Sequence, residues 1–238
     1  MRNTFRRARV ALLSLSLAVP IVAAANIPTA SAAVCHEHAP GTSVSYKTSR
    51  QVMVADRTKA STGTWARYEW RGIGKGCWVK VGQKSTARFG SGGVVAAAKR
   101  RQGTNTTPAG SFAIKYAFGE GNPGTRMGYR TIKARSVWVN NPRLKDYNRW
   151  RENSTLSGRG IGEDLSGYRD RGLYRQAAVI GYNYDRPVRY GRGSGSGIFL
   201  HYSSTATGGC VGLTNRTELN RTIAWLDPAK RPRMVIKA

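Results

Sequence analysis

The sequence predicts a mainly β fold with one or two short helices. Aromatic and β-branched residues gather in short runs that turn-forming residues separate. The chain has 28 glycines among 238 residues, which suits the tight turns of a β-sandwich or barrel. A helical spacing of apolar residues is clear at one place only, near the C-terminus. No repeat or low-complexity linker divides the chain after its first segment, so we expect one domain.

The first strands are predicted between residues 51 and 81. Residues 51–55 alternate as a strand does, and residues 64–70 and 77–81 are rich in aromatic and β-branched side chains. A glycine-rich turn at residues 72–76 separates the last two runs. This spacing predicts an antiparallel meander.

Further strands follow along the chain. Phe112, Ile114, Tyr116 and Phe118 alternate on one face of a run at residues 111–118. Short apolar runs also predict strands, at residues 137–139, 177–182, 198–200 and 234–236. Residues 94–99 fit either a helix or a strand, and the polar stretch 129–175 is interpreted as surface loops or as a lid over a site.

One helix is predicted near the C-terminus, at residues 217–226. Leu219, Ile223 and Leu226 recur at helical spacing, Thr214 can cap the start, and Pro228 ends the pattern.

Residues 1–32 are predicted to be a signal peptide. Four arginines form a basic start, residues 10–25 are apolar and uncharged, and Ala30-Ser31-Ala32 fits the cleavage pattern. An uncleaved membrane anchor is the alternative, but Pro20 interrupts the short apolar run. We therefore expect export, a mature chain that begins at Ala33, and no membrane span in that mature chain.

The charge of the chain implies an anionic partner. The net charge is +27, and removal of residues 1–32 takes away four arginines and no acid, which leaves +23. The basic residues are scattered singly, as on a folded surface. For an exported protein we expect the anionic polymers of a bacterial cell wall. Nucleic acid is not expected, because the sequence has no nucleic-acid-binding module.

Three cysteines leave one unpaired if two form a disulfide. Cys35 and Cys77 both lie in the N-terminal part of the mature chain, so we predict that they are bonded and that Cys210 is free. His36 and His38 beside Cys35 could suggest a metal, but no second ligand pair follows at a useful spacing. We expect no metal site and no cofactor.

The chemistry is predicted around Cys210. His201 ends the apolar run 198–200, and Cys210 follows in a glycine turn, so a strand and loop could bring a base to a nucleophilic thiol. Gly208 and Gly209 leave backbone amides unshielded, and those of Gly209 and Cys210 could bind an oxyanion. The alternative is a core histidine and a buried, inert cysteine.

Two sequence blocks resemble a known family. Residues 198–213, IFLHYSSTATGGCVGL, and residues 107–112, TPAGSF, resemble the signatures of the L,D-transpeptidase catalytic domain. The resemblance covers most of residues 90–238 and implies a β-sandwich-like domain with the cysteine in a cleft. Residues 33–89 are then N-terminal strands that belong to this domain or pack on it.

The resemblance also assigns roles. It implies that Cys210 is the acylated nucleophile, that His201 is the general base, and that Thr207 is the hydroxyl of the motif. The histidine would be oriented by a carbonyl or hydroxyl of Tyr202 or Ser203. Arg192 is a candidate to hold a stem-peptide carboxylate, and Gly208 stands where the family usually has a histidine.

The implied activity is acyl transfer between peptidoglycan stem peptides. Cys210 would form a thioester with release of D-Ala, and an amine of a second stem would attack it to give a 3→3 cross-link. Two alternatives are a hydrolase of the same scaffold, such as an L,D-carboxypeptidase, and a catalytically idle module that binds the cell wall.

Overall fold

The computed structural model describes residues 35–72, 76–152 and 160–238. The predicted signal peptide lies outside these residues. The prediction of a mainly β fold with one or two short helices is confirmed, and these residues contain two α-helices. None of the described helices has the length and apolar character that crossing a bilayer requires.

The predicted N-terminal meander is present. Strands β1 (Gln51–Lys59), β2 (Thr62–Arg71) and β3 (Cys77–Val81) pair antiparallel in sequence order. The next strand, β4 (Thr86–Arg88), pairs with the start of β2. The predicted disulfide joins Cys35 to Cys77 and thereby ties the segment before β1 to the start of β3.

The middle of the chain is organised around one long strand. β5 (Val94–Ala96) continues into a 3₁₀ turn, Ala97–Lys99, so the ambiguous run 94–99 is strand and helix in succession. β6 (Thr107–Gly119) pairs in parallel with β5 and with β7 (Tyr129–Thr131).

A second, three-stranded sheet lies within residues 129–175. β8 (Val137–Val139) pairs antiparallel with both β9 (Arg149–Arg151) and β10 (Gly162–Asp164). Helix α1 (Leu165–Asp170) follows at once, because Asp164 caps it through the amides of Ser166 and Gly167. The interpretation of this stretch as surface loops is wrong: all of β8 is buried.

The remaining elements complete the main sheet. They are β11 (Gln176–Ile180), β12 (Phe199–Tyr202), β13 (Val211–Leu213), helix α2 (Arg216–Trp225) and β14 (Arg233–Lys237). Helix α2 begins and ends one residue earlier than the predicted range 217–226. Its cap is Asn215 rather than the predicted Thr214, and the Asn215 side chain accepts a hydrogen bond from the Glu218 amide.

The main sheet closes on itself. Its strand order is β1-β14-β6-β11-β12-β13-β4-β2, and β2 pairs back with β1. Strands from residues 51–88 therefore share one hydrogen-bonded ring with strands from residues 107–237. This is the barrel-like or sandwich-like arrangement that the glycine-rich turns predict.

Side chains alternate between two apolar clusters along the strands near residue 200. Leu200 and Val211 belong to the larger cluster, with α2 and the inner face of the ring. Phe199 and Cys210 belong to a second cluster, with Trp138 of the small sheet. Because neighbouring residues in a strand point to opposite faces, the small sheet covers the face that carries Cys210.

A buried ion pair fastens α2 to the ring. Glu218 is fully buried, and its Oε1 accepts hydrogen bonds from Arg67 at 2.8 Å and from the Trp65 indole at 3.1 Å. Its Oε2 accepts a bond from the Gln83 amide at 2.6 Å. A buried carboxylate needs such partners, because removal from water is otherwise costly.

We expect Glu218→Ala to lower the free energy of unfolding by about 3–5 kcal/mol, because it leaves Arg67 buried without its counter-charge. Urea unfolding of the oxidised protein measures this loss. The matched control is Glu37→Ala, which breaks the exposed pair with Lys47 and should leave the unfolding midpoint nearly unchanged. Equal effects of the two substitutions would contradict the anchoring role.

Candidate active site

Strand pairing brings His201 and Cys210 to one face of the main sheet. β12 and β13 run parallel, with Leu200 opposite Val211 and His201 opposite Gly212. Cys210 immediately precedes β13, two residues before Gly212. Since side chains alternate, His201 and Cys210 point to the face opposite Leu200 and Val211.

Both side chains line a cavity of about 430 Å³. Its walls come from distant parts of the chain and include Arg100, Glu163 and Tyr174. Cys210 is 8% exposed and His201 is 4% exposed. The cavity therefore combines a thiol, an imidazole, a guanidinium and a carboxyl, and the thiol and the imidazole are largely shielded from water.

Two backbone groups hold the sulfur of Cys210. The thiol donates to the Gly197 carbonyl at 3.2 Å, and the sulfur accepts from the Phe199 amide at 3.3 Å. No hydrogen bond joins Cys210 to His201, although both lie in the described part of the chain. Transfer of the thiol proton to His201 therefore requires the S–H bond to turn away from Gly197.

The imidazole of His201 is oriented by the residue that follows it. Nδ1 lies 2.7 Å from the Tyr202 carbonyl, which can only accept, so Nδ1 carries the proton and Nε2 is left as an acceptor. The Tyr174 ring meets the imidazole edge to face at 5.0 Å between centroids. Of the two predicted orienting residues, Tyr202 contacts the imidazole, whereas the Ser203 hydroxyl donates to the Thr205 carbonyl at 2.8 Å.

Burial keeps the thiol of Cys210 and the imidazole of His201 uncharged at rest. Desolvation, reinforced by the charge of Glu163, raises the pKa of Cys210 to about 12. Desolvation also lowers the pKa of His201 to about 4. At neutral pH the pair is a thiol beside a neutral imidazole, which can act as a general base but provides no positive charge to stabilise a thiolate.

Thr207 braces the turn that carries the cysteine. Its hydroxyl accepts from the Gly209 amide at 3.1 Å and donates to the Cys210 carbonyl at 2.7 Å. Gly209 has φ +134°, and a Cβ at this position would lie 3.0 Å from the Thr106 carbonyl oxygen, so the turn favours glycine. Of the two amides predicted to bind an oxyanion, that of Gly209 is bonded within the turn. Gly208 is exposed and lines the cavity mouth.

Arg100 is a site residue that sequence reasoning missed. Its guanidinium is buried and donates to the carbonyls of Thr106 at 2.8 Å and Ser194 at 3.0 Å, and its charge favours the thiolate form of Cys210. No sequence pattern distinguishes Arg100, because it lies among other basic residues in a very basic chain. The predicted Arg192 is exposed and does not line the cavity.

Glu163 was also missed as a site residue. Glu163 and Asp164 are adjacent in β10, and adjacent side chains of a strand point to opposite faces. Asp164 caps α1, whereas Glu163 faces the cavity. There it accepts a hydrogen bond of 2.5 Å from the Tyr174 hydroxyl, and burial raises its pKa to about 7.

The described residues contain no cluster of three or more histidine, cysteine, aspartate or glutamate side chains that could hold a metal. His36 and His38, which the sequence places beside Cys35, flank Glu37. The Glu37 carboxylate accepts a hydrogen bond from the Ser45 hydroxyl and forms an ion pair with Lys47.

Comparison with known proteins gives one match. The YkuD family model, described as an L,D-transpeptidase catalytic domain, matches residues 46–232. The match begins before β1 and ends just before β14, so it includes the N-terminal meander as well as the cavity. Neither curated proteins nor solved structures gave a match.

The pH profile of Cys210 alkylation tests the uncharged resting pair. In the folded, oxidised protein we expect slow reaction with iodoacetamide at pH 7 and a rate that rises about tenfold per pH unit up to pH 10, because the thiol ionises far above its usual range.

The same protein unfolded in guanidinium, with its disulfide intact, is the matched control. There the rate should level off near the ordinary pKa of a cysteine, whereas reduced access alone would lower the folded rate without moving its profile. A plateau below pH 8 in the folded protein would contradict the neutral pair.

Proposed function

We propose that this chain, which belongs to the YkuD family of L,D-transpeptidase catalytic domains, is an exported cysteine acyltransferase that acts on peptidoglycan stem peptides. The observation that carries this proposal is the arrangement of Cys210 and His201 on one sheet face, inside one cavity, with Nε2 of the imidazole available as a base.

The first half of the reaction would be acylation. As Cys210 Sγ attacks the carbonyl carbon of the diamino acid that precedes D-Ala, His201 Nε2 takes the thiol proton. The C–N bond to D-Ala then breaks, and His201 returns that proton to the departing amine. General-base transfer during attack suits this pair, because neither group is charged beforehand.

The oxyanion of the tetrahedral intermediate would need donors near Cys210. The Thr207 hydroxyl already occupies the Gly209 amide, so we assign the Cys210 amide as the backbone donor. The buried guanidinium of Arg100 adds a positive charge on the same side of the cavity. We prefer Arg100 to Arg192 as the residue that attracts a substrate carboxylate or oxyanion.

The second half would transfer the acyl group to an amine of another stem peptide, which gives a 3→3 cross-link. Export is supported by the Cys35–Cys77 disulfide, since such bonds persist in oxidising compartments. The strongly positive charge would hold the enzyme near the anionic polymers of the wall.

Incubation of the purified mature protein with disaccharide tetrapeptides tests the proposal. Mass spectrometry should detect loss of D-Ala and cross-linked dimers for the wild type. Cys210→Ser should lower both by more than about 10³-fold, since a hydroxyl ionises far less readily than a thiol. His201→Ala should lower them about 10²–10⁴-fold.

Ser204→Ala is the matched control, because Ser204 is exposed in the same loop and does not line the cavity. It should behave as the wild type. D-Ala loss with water as the only acceptor would indicate a hydrolase, and no product from the wild type would overturn the enzyme in favour of a wall-binding module.

A further inference from the structure

We propose that Glu163 is a second base in this cavity, which receives the ammonium group of the acyl acceptor and takes its proton. The inference rests on the proposed acyl transfer and adds a residue for its second half. It is carried by the position of the carboxyl group, by its lack of an ion-pair partner within the described residues and by the number of protons that the reaction must move.

Glu163 is held rigidly beside the catalytic pair. It is the central residue of β10 and pairs with Trp138 of β8. Trp138 packs edge to face on Phe199, with ring centroids 4.8 Å apart, and the Phe199 amide bonds the sulfur of Cys210. The small sheet therefore fixes the carboxyl group relative to the nucleophile.

Tyr174 links Glu163 to the other base. Its hydroxyl donates to Oε1 of Glu163 at 2.5 Å, while its ring contacts the imidazole of His201. One buried side chain thus positions both groups. Within the described residues, the bond from Tyr174 is the only side-chain hydrogen bond that the Glu163 carboxyl accepts. Its Oε2 is therefore available to a substrate.

The carboxyl group of Glu163 forms no ion pair within the described residues. The chain has 39 basic and only 12 acidic residues, and ion pairs are frequent among the described acids. Burial raises the pKa of Glu163 and the charge of Arg171 opposes that rise, but Arg171 does not lie within ion-pair distance of the carboxyl group. A half-buried carboxylate without an ion-pair partner is costly, and a substrate ammonium group would supply that partner.

The proton count leaves one proton for a second base to take. An ammonium acceptor must lose two protons to become an amide nitrogen, whereas neutral His201 can accept one. Glu163 takes the first proton and so releases the free amine. The amine nitrogen then bonds to the thioester carbonyl carbon, the C–S bond breaks, and the second proton passes through His201 to Cys210 Sγ. Glu163 afterwards gives its proton to solvent.

The same cavity holds the carboxyl in a suitable protonation state. Because burial raises the pKa of Glu163 to about 7, the group is partly ionised at neutral pH and can both accept and release a proton. Water as acceptor needs only the His201 relay, so hydrolysis does not depend on Glu163.

Glu163→Gln separates the two halves of the reaction. It keeps the shape of the side chain and its bond from Tyr174 but removes the base. With a tetrapeptide donor and no amine, D-Ala release should not fall below about a third of the wild-type rate, because loss of the Glu163 charge can only favour the thiolate of Cys210. With a diamino stem peptide as acceptor, the ratio of amide product to hydrolysed product should fall at least about tenfold.

Two further variants control for structure. Glu163→Asp keeps a carboxylate and should restore the ratio to within about fivefold of wild type. Glu152→Gln changes an acid that directly follows β9, is exposed and does not line the cavity, and it should leave the ratio unchanged.

A second acceptor distinguishes a base from a mere packing residue. Hydroxylamine is already uncharged at neutral pH, so the penalty of Glu163→Gln should disappear when it replaces the stem peptide. An equal penalty with both acceptors, or an unchanged product ratio with the stem peptide, would overturn the proposal.

The donor stem peptide also carries an amine. Binding of that amine by Glu163 would give a different result from binding of the acceptor amine. If Glu163 bound the donor ammonium group, Glu163→Gln would lower D-Ala release without any acceptor, which would overturn the assignment to the acceptor. A wild type that releases no D-Ala would overturn the proposed function itself, whereas normal release with an unchanged ratio would overturn only the role of Glu163.

Discussion

The parallel pairing of β12 with β13 is the constraint on which the site depends. It puts His201 opposite Gly212 and thereby turns the imidazole and the thiol of Cys210 to the same face. A shift of one residue in this register would move one of them into the apolar interior, because side chains alternate. The closed ring of strands fixes the register, since β11 flanks β12 and β4 flanks β13.

The second sheet forms one wall of the cavity, with Glu163 of β10 in its lining and Trp138 of β8 packed on Phe199. Without β8 and β10 the face that carries Cys210 would lose this cover. With them, the thiol and the imidazole are both uncharged at rest, and the cavity holds the charge on Arg100 and the carboxyl of Glu163. Burial of the thiol, the imidazole and the guanidinium strengthens their effect on a charged intermediate.

Local sequence was sufficient for most strands and for the placement of His201 and Cys210 in one cavity, because alternation and the glycine turn around Cys210 are short-range signals. It was insufficient where long-range pairing decides. Glu163 reaches the cavity only because β10 pairs with β8, and Arg100 only because its guanidinium is buried against Thr106 and Ser194. The cap of α2 differed from prediction by one residue, since both candidates are good caps and backbone geometry selected Asn215.

The central claim is that Cys210 is the acylated nucleophile, and a carbapenem tests it most directly because its lactam carbonyl is an electrophile of the same kind as the substrate carbonyl. The measurement is peptide mass mapping of the mature protein after carbapenem treatment. The account predicts one covalent adduct, on the peptide that contains Cys210, and none in Cys210→Ser. An adduct on another residue, or an unmodified wild type, would contradict it.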